Sequence, residues 1–237
     1  MVAPLVAALA QRLARARERI GVAAHRAGRD PQEVALLLAV KGQPLDVVRA
    51  ALAAGCPLLG HNRAQELLHV APGLVDLPHE THFIGHLQSN KANQVVPWVR
   101  CVQSVDRAPL ATRLDRAVGR AGRVLDVFVQ VNTSGEGTKF GVSPADALPL
   151  AYAVGACANL RLRGLMTIGA NSPDAGLVRA SFEHLADLRD AVVASGAPGT
   201  GAARGLSMGM SGDLEAAIAA GSTMVRLGTA VFGPRPA

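Results

Sequence analysis

Three stretches of this sequence carry residues that together could hold a phosphorylated aldehyde. In the first, Val34–Pro44 (VALLLAVKGQP), an aliphatic run ends at Lys41 and is broken by Gly42-Gln43-Pro44. A run this short and this rich in Val and Leu reads as a strand buried on both faces. An ammonium group at the end of such a strand is costly to desolvate, which lowers an amine's pKa and makes it a nucleophile able to form a Schiff base. A lysine snorkelling from the strand end into solvent is the other reading. The second stretch, Ser207–Asp213 (SMGMSGD), is rich in glycine and serine and opens a helix. Free backbone N–H groups at a helix start, beside a serine hydroxyl, form an anion cradle. The third, Arg226-Leu227-Gly228-Thr229, adds small residues that let backbone amides approach a ligand. A phosphate cradle on one side and a strand-end amine on the other point to pyridoxal phosphate. Arg226 then falls where that cofactor's ring nitrogen would sit, keeping it unprotonated and weakening the ring as an electron sink. Plainer roles stand beside these: N-capping for Ser211 and a rim salt bridge for Arg226.

These residues need a frame. Leu5, Leu9, Leu13, Ala16 and Ile20 recur at helical spacing, which predicts one long amphipathic helix over residues 4–27, closed by Gly28, Asp30 and Pro31. Beyond it, strand and helix alternate. Strands are predicted at 34–40, 57–59, 82–84, 99–103, 124–131, 160–167, 204–206 and 223–227. Helices are predicted at 45–54, 63–70, 89–96, 108–118, 144–157, 173–194 and 213–220. This rhythm over 237 residues predicts an α/β fold, a single (β/α)8 TIM barrel with an extra N-terminal helix. A doubly wound sheet is the runner-up, but no GxGxxG fingerprint follows the first strand. Without a linker, low-complexity tract or fixed-period repeat, residues 1–237 are read as one domain. Working residues of such barrels stand at the carboxyl ends of the strands, where Lys41, Asn62, Asn132, Met166, Ser211, Arg226, Gly228 and Thr229 all gather.

Composition narrows the partners. The chain is 49% hydrophobic with only 3% aromatics, so its core is built from Ala, Val and Leu. No apolar run approaches the roughly 20 residues of a membrane span, and no signal-peptide pattern opens the chain. Cys56, Cys101 and Cys157 are scattered, odd in number and lack a CxxC pair, which favours a reducing cytoplasm over disulfides or zinc. The net charge is +6, and six arginines against Glu18 and Asp30 put +4 of it within residues 1–30. No aromatic residues interleave with that run, so a solvated helix face is preferred over nucleic-acid binding. His79, His82 and His86 lie close in sequence without a spaced acidic or cysteine partner, which argues against a metal site; His82 reads as a hydrogen-bonded core residue. Gln88, Ser89, Asn90 and Asn62 read as helix caps, and Met208 and Met210 as packing under the glycine-rich loop. Asp213 and Glu215 read as favouring their helix dipole.

From about Val34 to Gly233 the sequence closely resembles the pyridoxal phosphate homeostasis proteins. The matching motifs include KxxP at Lys41–Pro44, GxNxxQE at Gly60–Glu66, HFIGxLQSNK at His82–Lys91 and SVDR at Ser104–Arg107. They continue with VNTSGEGTKFG at Val131–Gly141, RGLMTI at Arg163–Ile168 and LSMGMSGDLEAAIAAGSTMVRLGTAVFG at Leu206–Gly233. The resemblance implies a barrel like the N-terminal domain of alanine racemases, with pyridoxal 5'-phosphate held as a Schiff base on Lys41. It implies that Ser211, Gly228 and Thr229 hold the phosphate, that Arg226 faces the pyridine nitrogen, and that Asn62 and Met166 line the ring pocket. Three departures stand out: Val40 replaces a usual Ser or Thr, His61 replaces a glutamate, and Gly212 replaces an acidic residue.

Three activities use such a lysine. A carrier would buffer the cofactor or deliver it to pyridoxal phosphate-dependent apo-enzymes. An amino-acid racemase needs a second acid–base group across the carbanion, which the related racemases take from a tyrosine on a second domain. The one tyrosine here, Tyr152, lies in a predicted helix away from the rim. An aldolase would use Lys41 without a permanent chromophore. The single-domain reading favours a non-catalytic, monomeric carrier.

Overall fold

A computed structural model describes residues 2–233 of the chain. Helix α1 (Val2–Arg26) leads, and a 3-10 turn at Pro31–Glu33 follows, its start capped by the Asp30 side chain. The chain then runs through β1 (Ala35–Ala39), α2 (Leu45–Ala53), β2 (Leu58–His61), α3 (Ala64–Val70), β3 (Glu80–Phe83) and α4 (Ala92–Val95). Next come β4 (Cys101–Val105), α5 (Ala108–Arg120), β5 (Leu125–Gln130) and α6 (Pro144–Gly155). It finishes with β6 (Leu160–Met166), α7 (Ala175–Ala194), β7 (Gly205–Ser207), α8 (Leu214–Ala219), β8 (Met224–Leu227) and α9 (Thr229–Phe232). Each strand pairs in parallel with the next, and β8 pairs with β1, so the sheet closes as the predicted (β/α)8 barrel with its leading helix.

Strand alternation decides which residues face the barrel axis. On β1, Leu38 and Val40 pack outward in one cluster with Leu13 of α1 and Val48 of α2. Ala39 and Lys41 are thereby left to face the barrel mouth. Several boundaries differ from the sequence pattern by a residue or two, those of β3 and β4 among them, and two differences have a local setting. Strand β2 runs on through Gly60 to His61, because the space a side chain would fill is taken by Leu37, whose Cδ2 lies 2.2 Å from an ideal Cβ at Gly60. The expected helix 89–96 is a short α4 between 3-10 turns at Ser89–Lys91 and Val96–Trp98, where Pro97 prevents continuation.

The predicted stripe of α1 is buried at Leu9, Leu13, Ala16 and Ile20, packed against α2, α8 and α9. Its basic residues do a second job. Arg12 donates to Val231 O, Arg17 to Gly55 O, and Arg29 to both Ile218 O and Ser222 O. These carbonyls lie at or just past the ends of α9, α2 and α8, where a helix leaves acceptors without partners. Arg19 pairs with both carboxylate oxygens of Glu215, at 2.5 and 2.7 Å, and its Nη1 donates to Ser211 O at 2.8 Å. Four of the six arginines of this segment thus hold the helix to the fold, while Arg15 and Arg26 stay exposed. Arg19→Ala is expected to lower stability by about 1 kcal/mol, the scale of a bidentate surface pair plus one backbone bond, measurable by urea unfolding.

Candidate functional site

Lys41, Asn62, Ser211, Arg226, Gly228 and Thr229 line one cavity of about 370 Å³ at the carboxyl ends of β1, β2, β7 and β8. That volume falls within the range of small-molecule sites. Lys41 follows β1 and is half-buried at the mouth, so the deep burial expected from the strand run is not realised. Asn62 follows β2, its backbone closely covered by Gly85, where an ideal Cβ would sit 1.9 Å from Asn62 O. Met210, expected only as packing, also borders the cavity, and Gln43 and Phe232 add to the wall without having been read as site residues. Phe232 comes from α9, which is too short to show a helical period.

Arg226 is the buried charge of the site, 6% exposed near the end of β8. Its Nη1 donates to Ser207 Oγ at 2.9 Å and its Nη2 to the Thr167 carbonyl at 2.7 Å. Among the described residues it pairs with no carboxylate, so the plainer alternative of a rim salt bridge is not realised. Burial pushes its pKa down to about 10 while the field of Asp213 pulls the other way, and the guanidinium stays charged at neutral pH.

Across the cavity, Ser211 does not cap α8. Its Oγ accepts from Thr229 Oγ1 at 3.2 Å and from Ala230 N–H at 3.3 Å, which ties the loop after β7 to the loop after β8. Asp213 accepts instead from Met210 N–H at 2.6 Å and closes the turn. Glu215, in the first turn of α8, is engaged by Arg19. The backbone N–H groups of Ser211, Gly212, Gly228 and Thr229 find no acceptor among the described residues. Four free donors and two hydroxyls on one wall suit an anion with several oxygens.

The remaining candidates lie elsewhere. Met166 is fully buried in a cluster with Cys101 and Phe128, away from the cavity lining. The register of β5 on β6 shifts between Val127 and Phe128, which upsets the alternation that would place Met166 by counting. Val40 faces the helices, whereas Gly212 borders the cavity and is exposed, with open space where a side chain would stand. His61 is 1% exposed and its two ring nitrogens have no partner among the described residues. Its burial, with His79 nearby, pushes its pKa down to about 4. Met208 is buried as expected of a packing residue, whereas Met210 is 37% exposed and borders the cavity. Neither the Asn62 nor the Gln88 side chain caps a helix; α3 starts at Ala64, with Arg63 in the cap position and no side-chain cap. Among the described residues no cluster of His, Cys, Asp or Glu could hold a metal ion, and no helix is long and apolar enough to cross a membrane.

Residues 8–236 match the family model of the alanine racemase N-terminal domain. A curated relative from Pseudomonas aeruginosa, named pyridoxal phosphate homeostasis protein, is 43% identical over 96% of both chains. The crystal structure of an unknown protein from Bifidobacterium adolescentis superposes with a TM-score of 0.92 at 40% identity, covering 97% of this chain and 96% of that one. PipY of Synechococcus elongatus, solved with PLP bound, superposes with a TM-score of 0.78 at 33% identity, covering 95% of this chain and all of PipY (100%). With a parallel barrel closed on this cavity and relatives this similar over nearly their whole length, the chain belongs to the pyridoxal phosphate homeostasis proteins, within the alanine racemase N-terminal domain family.

Proposed function

We propose that this barrel binds pyridoxal 5'-phosphate in the Lys41 cavity and serves intracellular homeostasis of that cofactor. In this reading it is a single-domain, monomeric, cytoplasmic carrier that buffers the cofactor or delivers it to apo-enzymes that depend on it. The observation that carries it is Arg226, a buried guanidinium without a carboxylate partner, lining the same cavity as the Lys41 amine. The relatives' name and the PLP bound to PipY support the choice of ligand.

When bound, the cofactor supplies an aldehyde that condenses with a primary amine and an anionic phosphate that needs several donors. Lys41 supplies the amine. Ser211, Thr229 and the free N–H groups of Gly212 and Gly228 supply the donors. Arg226 offers a charged N–H to the ring nitrogen and, already holding its own proton, cannot accept another. Asn62 closes the side of the ring pocket next to Lys41.

A carrier function is favoured over racemisation by what surrounds the lysine. Among the described residues, the side chains lining the cavity include no carboxylate, imidazole, thiol or phenol to move a proton on the face opposite Lys41. Tyr152 lies on α6, far along the chain from every lining residue and 36% exposed. Purified protein incubated with the cofactor is expected to turn yellow, to bleach with borohydride, and to leave L-alanine unracemised. A colourless protein would sink the ligand assignment, and sustained racemisation the carrier. Ser211→Ala should weaken cofactor retention roughly 10- to 150-fold, the loss of one hydrogen bond to a charged group, without abolishing it; equilibrium dialysis reads this directly.

A further inference from the structure

Below the cavity the barrel axis is not filled by aliphatic side chains alone. Starting from Arg226 on β8, a line of hydrogen bonds crosses the interior through four more residues. Arg226 Nη1 donates to Ser207 Oγ on β7 at 2.9 Å, and Ser207 Oγ donates to Gln103 Oε1 on β4 at 2.6 Å. Gln103 Nε2 meets His82 Nδ1 on β3 at 2.7 Å, and His82 Nε2 meets Glu80 Oε1 at 2.7 Å. An amide nitrogen only donates, so His82 Nδ1 is the acceptor and the ring proton sits on Nε2, facing the carboxylate. Every donor in the line therefore points the same way, from the guanidinium to Glu80. Gln103 and Ser207 are fully buried, and His82 is 4% exposed. The other amide proton of Gln103 is directed at Met224 Sδ, 3.1 Å away and two residues before Arg226 on the same strand. At its far end the line opens on a second cavity, of about 560 Å³, lined by His82 and Glu80.

Such a polar file is an unusual filling for a barrel core, which is normally packed with branched apolar side chains. Each member is held only while its neighbours are present, since a buried donor or acceptor left alone is strongly disfavoured. Arginine has many rotamers, yet here Nη1 and Nη2 are both fixed, by Ser207 and by the Thr167 carbonyl, with the cavity on the open side.

We propose that Gln103 and Ser207 are positioning residues for Arg226. The file they form orients the guanidinium toward the cavity, and so sets how it meets the ring nitrogen of the ligand. This rests on the cofactor reading of the cavity. If Arg226 is released, the ring nitrogen gains a proton, the ring withdraws electrons from the lysine-linked nitrogen, and that nitrogen loses its own proton at lower pH.

The test is a pH titration of the absorbance of cofactor-loaded protein, with Kd from dialysis and a thermal melt to report folding. Ser207→Ala and Gln103→Met are expected to lower the titration midpoint by about one pH unit and to weaken binding roughly tenfold. Ser207→Thr, which keeps the hydroxyl, should titrate as the wild type. A wild-type midpoint in folded Ser207→Ala would overturn the proposal, as would equal shifts in the Ala and Thr variants, which mark a packing effect. If Gln103→Met does not fold, the Ser207 pair decides alone. A wild-type protein with no chromophore would instead overturn the cofactor reading on which the proposal stands.

Discussion

Lys41→Ala should abolish the pyridoxyl adduct trapped by borohydride, while the barrel stays folded. The sequence has three lysines, Lys41, Lys91 and Lys139. Only Lys41 lines the cavity that also holds Arg226, Ser211 and Thr229. Lys139 Nζ is engaged by Glu136 Oε1 at 2.6 Å and by the Gly169 carbonyl at 2.7 Å, so its lone pair is not free for attack. Lys91 borders a different hollow, with Gln65 and His86. Peptide mapping by mass spectrometry after reduction is expected to find the wild-type adduct on the Lys41 peptide and none in Lys41→Ala. The half-buried side chain packs little apolar surface, so its removal should leave the thermal midpoint within a few degrees. An adduct of undiminished yield on Lys91 or Lys139 in the variant would remove Lys41 from its role.

The second large effect concerns acid stability. In the unfolded chain His61 takes a proton near pH 6.5, whereas in the folded barrel it stays neutral until about pH 4. Between those values the unfolded state binds more protons, so stability falls as the pH drops and is untouched above the upper one. A gap of that size corresponds to about 3 kcal/mol, roughly a hundredfold in the folding equilibrium, fully lost by about pH 4. His61→Phe keeps the ring-sized filler and removes the titration. Urea unfolding at pH 7 and pH 4 should show wild type losing about 3 kcal/mol more than the variant across that interval. At pH 7 the variant should be at least as stable, because two buried nitrogens without partners are gone. Parallel pH profiles for the two proteins would mean that His61 is hydrated or charged in the fold.

Much of the architecture was legible because each strand is a short apolar run closed by glycine, proline or a polar turn, as Val34–Pro44 illustrates. Positions near strand ends were readable for the same reason: two-residue alternation from Leu37 carries through Ala39 to Lys41. Where alternation is interrupted, reading by count fails. Met166 follows a register shift and lies under the cavity wall, not in it. Gly60 looked like a stop, yet the Leu37 side chain of the neighbouring β1 occupies its space and β2 continues. Ser211 had the type and place of a helix cap, but its hydroxyl is bonded to the neighbouring loop, and Asp213 holds the cap position with its carboxylate turned to Met210 N–H. The file from Arg226 to Glu80 could not be seen at all, since its members come from four strands and meet only when the barrel closes.

The grip of Arg19 on the Ser211 carbonyl has a practical corollary. The helix that stands outside the eightfold repeat is mechanically continuous with the anion-holding turn. Anchoring the protein through this helix to a resin or fusion partner is therefore expected to act on ligand retention through that one carbonyl, whereas trimming the helix would also strip Leu9, Leu13 and Ile20 from the core.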